Sequence, residues 1–301
     1  MKRFLVPILL LLCVSCGWLD RQDTPEGYVR HAVRLLDAHA LYANTSEWSA
    51  CRKEVLSQAK LFTSMDQARE AVSRAAFVAG GKHSALVPPV RDTASYPETV
   101  PEAKLLEDNI LYVLLPPHSG VLVSDSLYIH TVLDFLQEHL DARGVVLDLR
   151  GNRGGNMYPM IAAVSPLLPD GIILRFKSRK RTSPISLEFV LSSAQLTPNS
   201  VQRFPKDTPI AILTDEWTGS SGEATFLCFS GLENVRSFGT PTAGYASANT
   251  PHPLADGYTL VITTASNVAR TGEEFCEDPI EPDVRSEAPL QDALAWIQNR
   301  L

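Results

Sequence analysis

The sequence predicts an α/β protein, a covered and largely parallel sheet preceded by a helical N-terminal block. Three observations carry this. Apolar runs at Ile110–Leu115, Gly144–Leu149 and Pro209–Leu213 have the continuous texture of strands buried on both faces. Segments with helical spacing lie between them, so strand and helix alternate. Before residue 80, apolar positions recur at helical intervals with few glycines or prolines.

At the start, Lys2 and Arg3 precede an apolar run from Phe4 to Val14, then Ser15-Cys16-Gly17. A charged start, a short apolar stretch and small residues at the break make residues 1–16 a secretory signal. The run is too short for a spanning helix. Cys16 sits where bacterial lipoproteins carry their lipidated cysteine, although Cys13 stands where leucine is usual. The chain is therefore expected to be exported to the cell envelope and to meet a membrane only through a lipid anchor.

Residues 17–86 make the helical block, with a tether from Arg21 to about Tyr28. Val29, Ala32, Val33 and Leu36, then Val55 and Leu61, then Ala71, Ala75 and Val78 mark two or three helices that end at the His83 segment. Residues 87–109 are a Pro-rich connector containing Pro88, Pro89, Pro97 and Pro101. Residues 110–301 form the core. Ser124–Leu140 reads as an amphipathic helix, Asn156–Leu168 as another, and Ile172–Phe176 as a strand. Lys177–Phe204 is polar, with strands expected over part of it. Ala224–Leu232 reads as a helix, Tyr258–Ala265 alternates like an exposed strand, and Ala288–Leu301 is a final amphipathic helix.

The chain has 301 residues, 45% hydrophobic and 20% charged, enough for a full core. A formal charge of −7 offers no basic footprint for nucleic acid. If Cys16 becomes the lipidated N-terminus, Cys13 leaves with the signal and Cys51, Cys228 and Cys276 remain, so at most one pair can bridge. No cysteine or histidine spacing suits a metal, and no cofactor is expected.

Thr218-Gly219-Ser220-Ser221-Gly222-Glu223 follows the Ile210–Leu213 run and opens a helix. Free backbone N–H groups at such a junction favour negative charge and suit a nucleophilic serine whose tetrahedral intermediate carries an oxyanion. Ser220 with Glu223 three positions later is also a capping box, which needs no chemistry. Upstream, Asp148-Leu149-Arg150-Gly151-Asn152-Arg153-Gly154-Gly155 carries a buried strand through a glycine-rich turn into a helix. Such a turn can aim N–H groups at an oxyanion or simply connect two elements.

These two runs, then Phe238-Gly239-Thr240-Pro241-Thr242-Ala243-Gly244, then Ile280-Glu281-Pro282-Asp283-Val284, occur in one order. That order and spacing resemble the C-terminal-processing (tail-specific) serine peptidases, over roughly Ile110 to Val284. The resemblance implies a core of the ClpP/crotonase type. It implies Ser220 as nucleophile and an oxyanion hole from the N–H of Ser221 and that of Gly154 or Gly155. The bacterial tail-specific branch places a lysine base just after the Thr-x-Gly turn; Tyr245 stands there, and no lysine follows Lys206. Ala79-Gly80-Gly81-Lys82-His83-Ser84 instead resembles the Asp-Gly-His-Ser segment of the tricorn-core branch, which implies His83 as base. His252, between Pro251 and Pro253, is the competing histidine, expected in a hairpin turn. Glu281 corresponds to the acidic residue of the tricorn-like site, although a plain loop carboxylate is an equal reading. No PDZ domain fits between the helical block and the core.

The implied function is an exported serine endopeptidase acting on polypeptides by a Ser-His mechanism. The interphotoreceptor retinoid-binding protein resembles the same family, so an inactive hydrophobic-ligand or protein-binding member is the alternative.

Overall fold

The computed structural model describes residues 22–89 and 99–300; the expected signal segment and Cys16 lie outside them. Helices α1 (Pro25–His39), α2 (Ser46–Gln58) and α3 (Met65–Gly80) form the N-terminal block. Each begins on a hydroxyl cap: Thr24, Thr45 and Ser64 accept from the N–H groups of Gly27, Trp48 and Gln67. The Thr24 cap, with Pro25 at the first helical position, starts α1 inside the stretch expected to be a tether. Tyr28 is buried there, so the tether ends before it.

The strands in chain order begin with β1 (Ala85–Val87), β2 (Glu102–Leu105), β3 (Ile110–Leu114), β4 (Gly144–Asp148), β5 (Ile172–Ser178) and β6 (Thr182–Ser186). They continue with β7 (Ile210–Thr214), β8 (Val235–Gly239), β9 (Ser247–Pro253), β10 (Thr259–Val268), β11 (Glu274–Phe275) and β12 (Val284–Arg285). The first sheet runs β12-β8-β7-β4-β3-β2, parallel throughout except for β2. The connector thus contributes an edge strand to the core sheet. The second sheet runs β1-β10-β5-β6, with β9 and β11 also paired to β10.

Helices α4 (Asp125–Glu138), α5 (Met157–Ala163), α6 (Leu187–Ser193) and α7 (Ser221–Leu227) pack on one face of the first sheet. There Leu111, Val113, Leu147 and Ile212 meet Leu136, Met160 and Leu227. On the other face Ile110, Val146 and Leu213 meet Ala293 and Ile297 of α8 (Pro289–Gln298). Cover on both faces explains why these strands read as unbroken apolar runs. The expected Asn156–Leu168 helix is shorter: α5 stops at Ala163, and Pro166 lies in a separate 3-10 turn, Ser165–Leu167.

The N-terminal block gathers Tyr28, Leu36 and Trp48 into its own apolar cluster, which continues onto Leu260 and Ile262 of β10. β10 is therefore the hub of the second sheet, not the exposed strand its alternation suggests. Its polar residues Thr263, Ser266 and Asn267 are buried, and that is what imitates exposure in the sequence. Cys51, Cys228 and Cys276 are free thiols.

Candidate active site

β7 leads through residues 215–219 to Ser220, the residue that caps α7. Ser220 has φ 54° and ψ −114°, a conformation that costs a side-chain-bearing residue about 1–3 kcal/mol. The surroundings hold it there. Asp215 accepts from the N–H of Gly151 at 3.0 Å and of Trp217 at 3.0 Å, fastening the β7 loop to the glycine turn. Thr218 Oγ1 donates to the Leu149 carbonyl at 2.9 Å, and Gly219 N–H to that of Asn152 at 2.9 Å.

Glu223 is the hub of the site. Its carboxylate is fully buried and accepts from the N–H groups of Ser220 (2.9 Å), Gly244 (2.9 Å) and Tyr245 (2.7 Å), and from the Thr242 hydroxyl. Thr242 Oγ1 in turn accepts from Ile280 N–H at 2.8 Å. Burial holds the Glu223 carboxyl above its usual range, and these four donors offset only part of that rise. The capping reading of Glu223 is thus one part of a larger tie: one carboxylate links the serine turn to the Thr-Ala-Gly turn, and through Thr242 to the Ile-Glu-Pro-Asp segment. Asp283 of that segment accepts from Ser237 N–H and Oγ, both at 2.8 Å, and so fixes β12 beside β8.

The glycine turn closes against Ser220. A side chain on Gly154 would stand 2.7 Å from Ser220 Cβ and 2.9 Å from Ser221 N, so only glycine permits this approach. Gly154 N–H is committed to Asn152 Oδ1 at 3.0 Å. The N–H groups of Gly155 and Ser221 have no acceptor among the described residues, while Ser221 Oγ donates to the Gly155 carbonyl at 2.7 Å. Of the two candidate glycines, Gly155 is the one with a free donor. Behind the turn, His118 N–H donates to Gly154 O at 3.1 Å, and His118 O accepts from Asn156 N–H. The buried His118 ring is hydrogen-bonded to Asp125 at 2.7 Å. His118 and Asp215 escape sequence reasoning. An Asp three before Thr218 is a loop signal in retrospect, whereas His118 carries none.

His83 lies between α3 and β1, where Gly81 takes φ 81° to end the helix. His83 and Ser220 line the same cleft: together they border a lobe of about 460 Å³ with Trp217 and Tyr245, and one of about 480 Å³ with Gly155 and Ser221. His83 Nδ1 is 2.8 Å from Ser247 Oγ. In the tautomer whose Nδ1–H donates to that hydroxyl, the Nε2 lone pair is the free base. Burial, with the Lys82 charge beside it, pushes the imidazole down from 6.5 to about 4. Lys82 Nζ sits 4.5 Å from the centre of the Tyr245 ring.

Glu281 is not brought to His83. Its carboxylate is exposed and grips the Arg285 guanidinium through both oxygens, at 2.6 and 2.9 Å. Four residues of spacing let that ion pair form locally and turn the side chain to solvent. Ser247, not Glu281, is the partner of the imidazole. His252 lies within β9, not in a turn, with its ring 4.9 Å from that of His39 and outside the cleft.

A serine strained at a strand-to-helix turn, two free N–H groups and an imidazole on one cleft define a site of the acyl-transfer type. The model of peptidase family S41 matches residues 110–286, and the chain belongs to that family. It is 34% identical over 284 residues to the nisin-resistance protein of Lactococcus lactis, covering 92% of this chain and 88% of that one. With the carboxy-terminal processing protease CtpA of Bacillus subtilis it shares 28% identity over 160 residues, 53% of this chain and 32% of that protein. Among solved structures, a lipoprotein from Streptococcus agalactiae matches with TM-score 0.83 and 29% identity over 100% of both chains. The photosystem II D1 C-terminal processing protease matches with TM-score 0.63 at 14% identity, over 87% of this chain and 93% of that one, a likeness of fold.

Proposed function

We propose that this chain is an exported, lipid-anchored serine endopeptidase that cuts antimicrobial peptides of the nisin class at the cell envelope. The observation that carries the mechanism is the shared cleft: Ser220 and His83 border both of its lobes, with His83 Nδ1 taken by Ser247. Ser220 Oγ attacks the peptide carbonyl as His83 Nε2 takes its proton. The N–H groups of Ser221 and Gly155 receive the oxyanion. His83 then gives the proton to the leaving amine, and water resolves the acyl-enzyme by the reverse sequence. An upstream histidine of this kind is the feature shared with the tricorn-core branch. Support for the substrate class is the name and 34% identity of the Lactococcus lactis relative. Support for the anchor is Cys16 after the apolar run, together with the likeness to a streptococcal lipoprotein.

The test is incubation of the purified chain with nisin, read by mass spectrometry, alongside fluorophosphonate labelling. Wild type should release defined fragments and label at Ser220. Ser220→Ala should lose at least about 10⁴-fold in kcat with its circular dichroism unchanged. Equal labelling of the two proteins would remove Ser220 from the mechanism, and intact nisin beside labelled enzyme would remove the substrate assignment.

A further inference from the structure

Two contacts on the His83 ring come from one stretch of chain, Tyr245-Ala246-Ser247. Ser247 Oγ lies 2.8 Å from Nδ1. The Tyr245 ring stands against the imidazole with ring centres 5.1 Å apart and planes at 75°, the edge-to-face geometry that aromatic quadrupoles favour. Ser247 N–H donates to the Tyr245 carbonyl at 2.7 Å, which holds the two contacts at a set separation. A hydrogen bond at Nδ1 fixes one atom of an imidazole and leaves the ring free to turn about that bond. Turning swings the Nε2 lone pair off the line on which a general base must meet its proton. A second contact against the ring plane removes that freedom, and Tyr245 supplies it.

Tyr245 is held in its turn. Its N–H donates to Glu223 at 2.7 Å, and the same carboxylate accepts from Ser220 N–H at 2.9 Å. The Lys82 ammonium lies 4.5 Å from the centre of the Tyr245 ring, a cation–π contact, and donates to the Ala243 carbonyl at 3.3 Å. Lys82 is placed by its own N–H, which donates to Glu277 Oε1 at 2.6 Å. The phenol oxygen of Tyr245 has no hydrogen-bond partner among the described residues, so the arrangement uses the ring and not the hydroxyl. We propose that Tyr245 is a positioning residue, whose ring fixes the plane of the His83 imidazole and whose backbone ties that ring to the carboxylate that also sets Ser220. Nucleophile and base thus take their relative position from Glu223, by one bond directly and by another through Tyr245. The proposal rests on the peptidase reading above and deepens it.

The rate of fluorophosphonate labelling of the full chain tests it, because so small a probe needs Ser220 and its base but little of the cleft. Tyr245→Leu and Tyr245→Met keep the backbone tie and remove the ring, and each should label about 10- to 100-fold more slowly than wild type. Tyr245→Phe should restore the rate to within about 3-fold of wild type, and in peptide cleavage the two truncations should lose kcat in parallel with KM changed by no more than about 3-fold. Truncations that label at the wild-type rate and raise only KM make Tyr245 a wall of the cleft and overturn the proposal. A Tyr245→Phe variant as slow as the truncations also overturns it, because the hydroxyl would then be the working group. Wild type that does not label overturns the peptidase reading together with this one, whereas truncations that label as fast as a labelling wild type overturn the positioning role alone. Circular dichroism identifies a variant that has not folded, and the other truncation with Tyr245→Phe then decides.

Discussion

On the Ser220 side of the cleft each turn is tied down by buried hydrogen bonds, whereas on the other side the His83 imidazole has one hydrogen-bond partner among the described residues, Ser247. The serine side grows from a parallel sheet covered on both faces, and Glu223 gathers three separate backbone N–H groups there. The histidine side hangs from the end of α3 and a three-residue edge strand. This contrast follows from what each half holds. A serine in a costly backbone conformation needs many constraints to keep it there. An imidazole needs only its ring plane and tautomer set, which one hydroxyl and its packing neighbours can do.

The contrast predicts unequal damage. Glu223→Ala should be the most severe change, because it leaves buried N–H donors unpaired and releases Ser220 from its strained geometry. We expect a loss of about 3 kcal/mol or more in denaturant unfolding and no detectable labelling. A variant that unfolds like wild type would show that Glu223 is not the tie.

On the histidine side, Ser247→Ala should leave stability within about 1 kcal/mol and lower kcat by about 10-fold, with KM little changed. Glu281→Gln should change neither by more than about 2-fold, since its partner is exposed Arg285. The reverse ranking in steady-state kinetics would restore Glu281 as the orienting group.

The smallest effect is the most diagnostic of the base. With His83 lowered from 6.5 to about 4, its neutral form prevails above pH 4, so the acid limb of kcat/KM should fall near 4. Lys82→Met removes the lesser of the two causes and should move that limb part of the way up toward 6.5. The linked stability has the same sign. Between pH 6.5 and 4 the unfolded chain binds the proton first, so the contribution of neutral His83 is present above 6.5 and lost on acidifying through that window. A wild-type limb at 6.5 would place the titrating base in water.

Sequence reasoning reached the serine side well and the histidine side unevenly. Continuous apolar strands, the glycine turn and the Ser220 helix start are local patterns, and each stands where its residues imply. Ser220 and His83 do border one cleft, although 137 positions separate them. What orients His83 was not legible. Ser247 lies 164 positions away on a strand with no distinguishing pattern, and only the pairing of β9 with β10 brings it near. Glu281 matched a family position, but a neighbouring arginine at helical spacing captured it. β10 read as exposed because Thr263, Ser266 and Asn267 interrupt its apolar run although all three are buried. Gly155 could not be separated from Gly154 until the Asn152 amide was seen to occupy one of the two N–H groups.

Ser220 follows a strand of the first sheet, and His83 precedes a strand of the second. The two residues therefore straddle the seam where the two sheets meet, and under the proposed mechanism catalysis would act as a gauge of that seam. A relative slip of about 1 Å between the sheets would cost on the order of 100-fold in rate while each sheet kept its hydrogen bonds. Warming should thus silence the enzyme before it melts. A small molecule wedged at the seam would inhibit without entering the cleft.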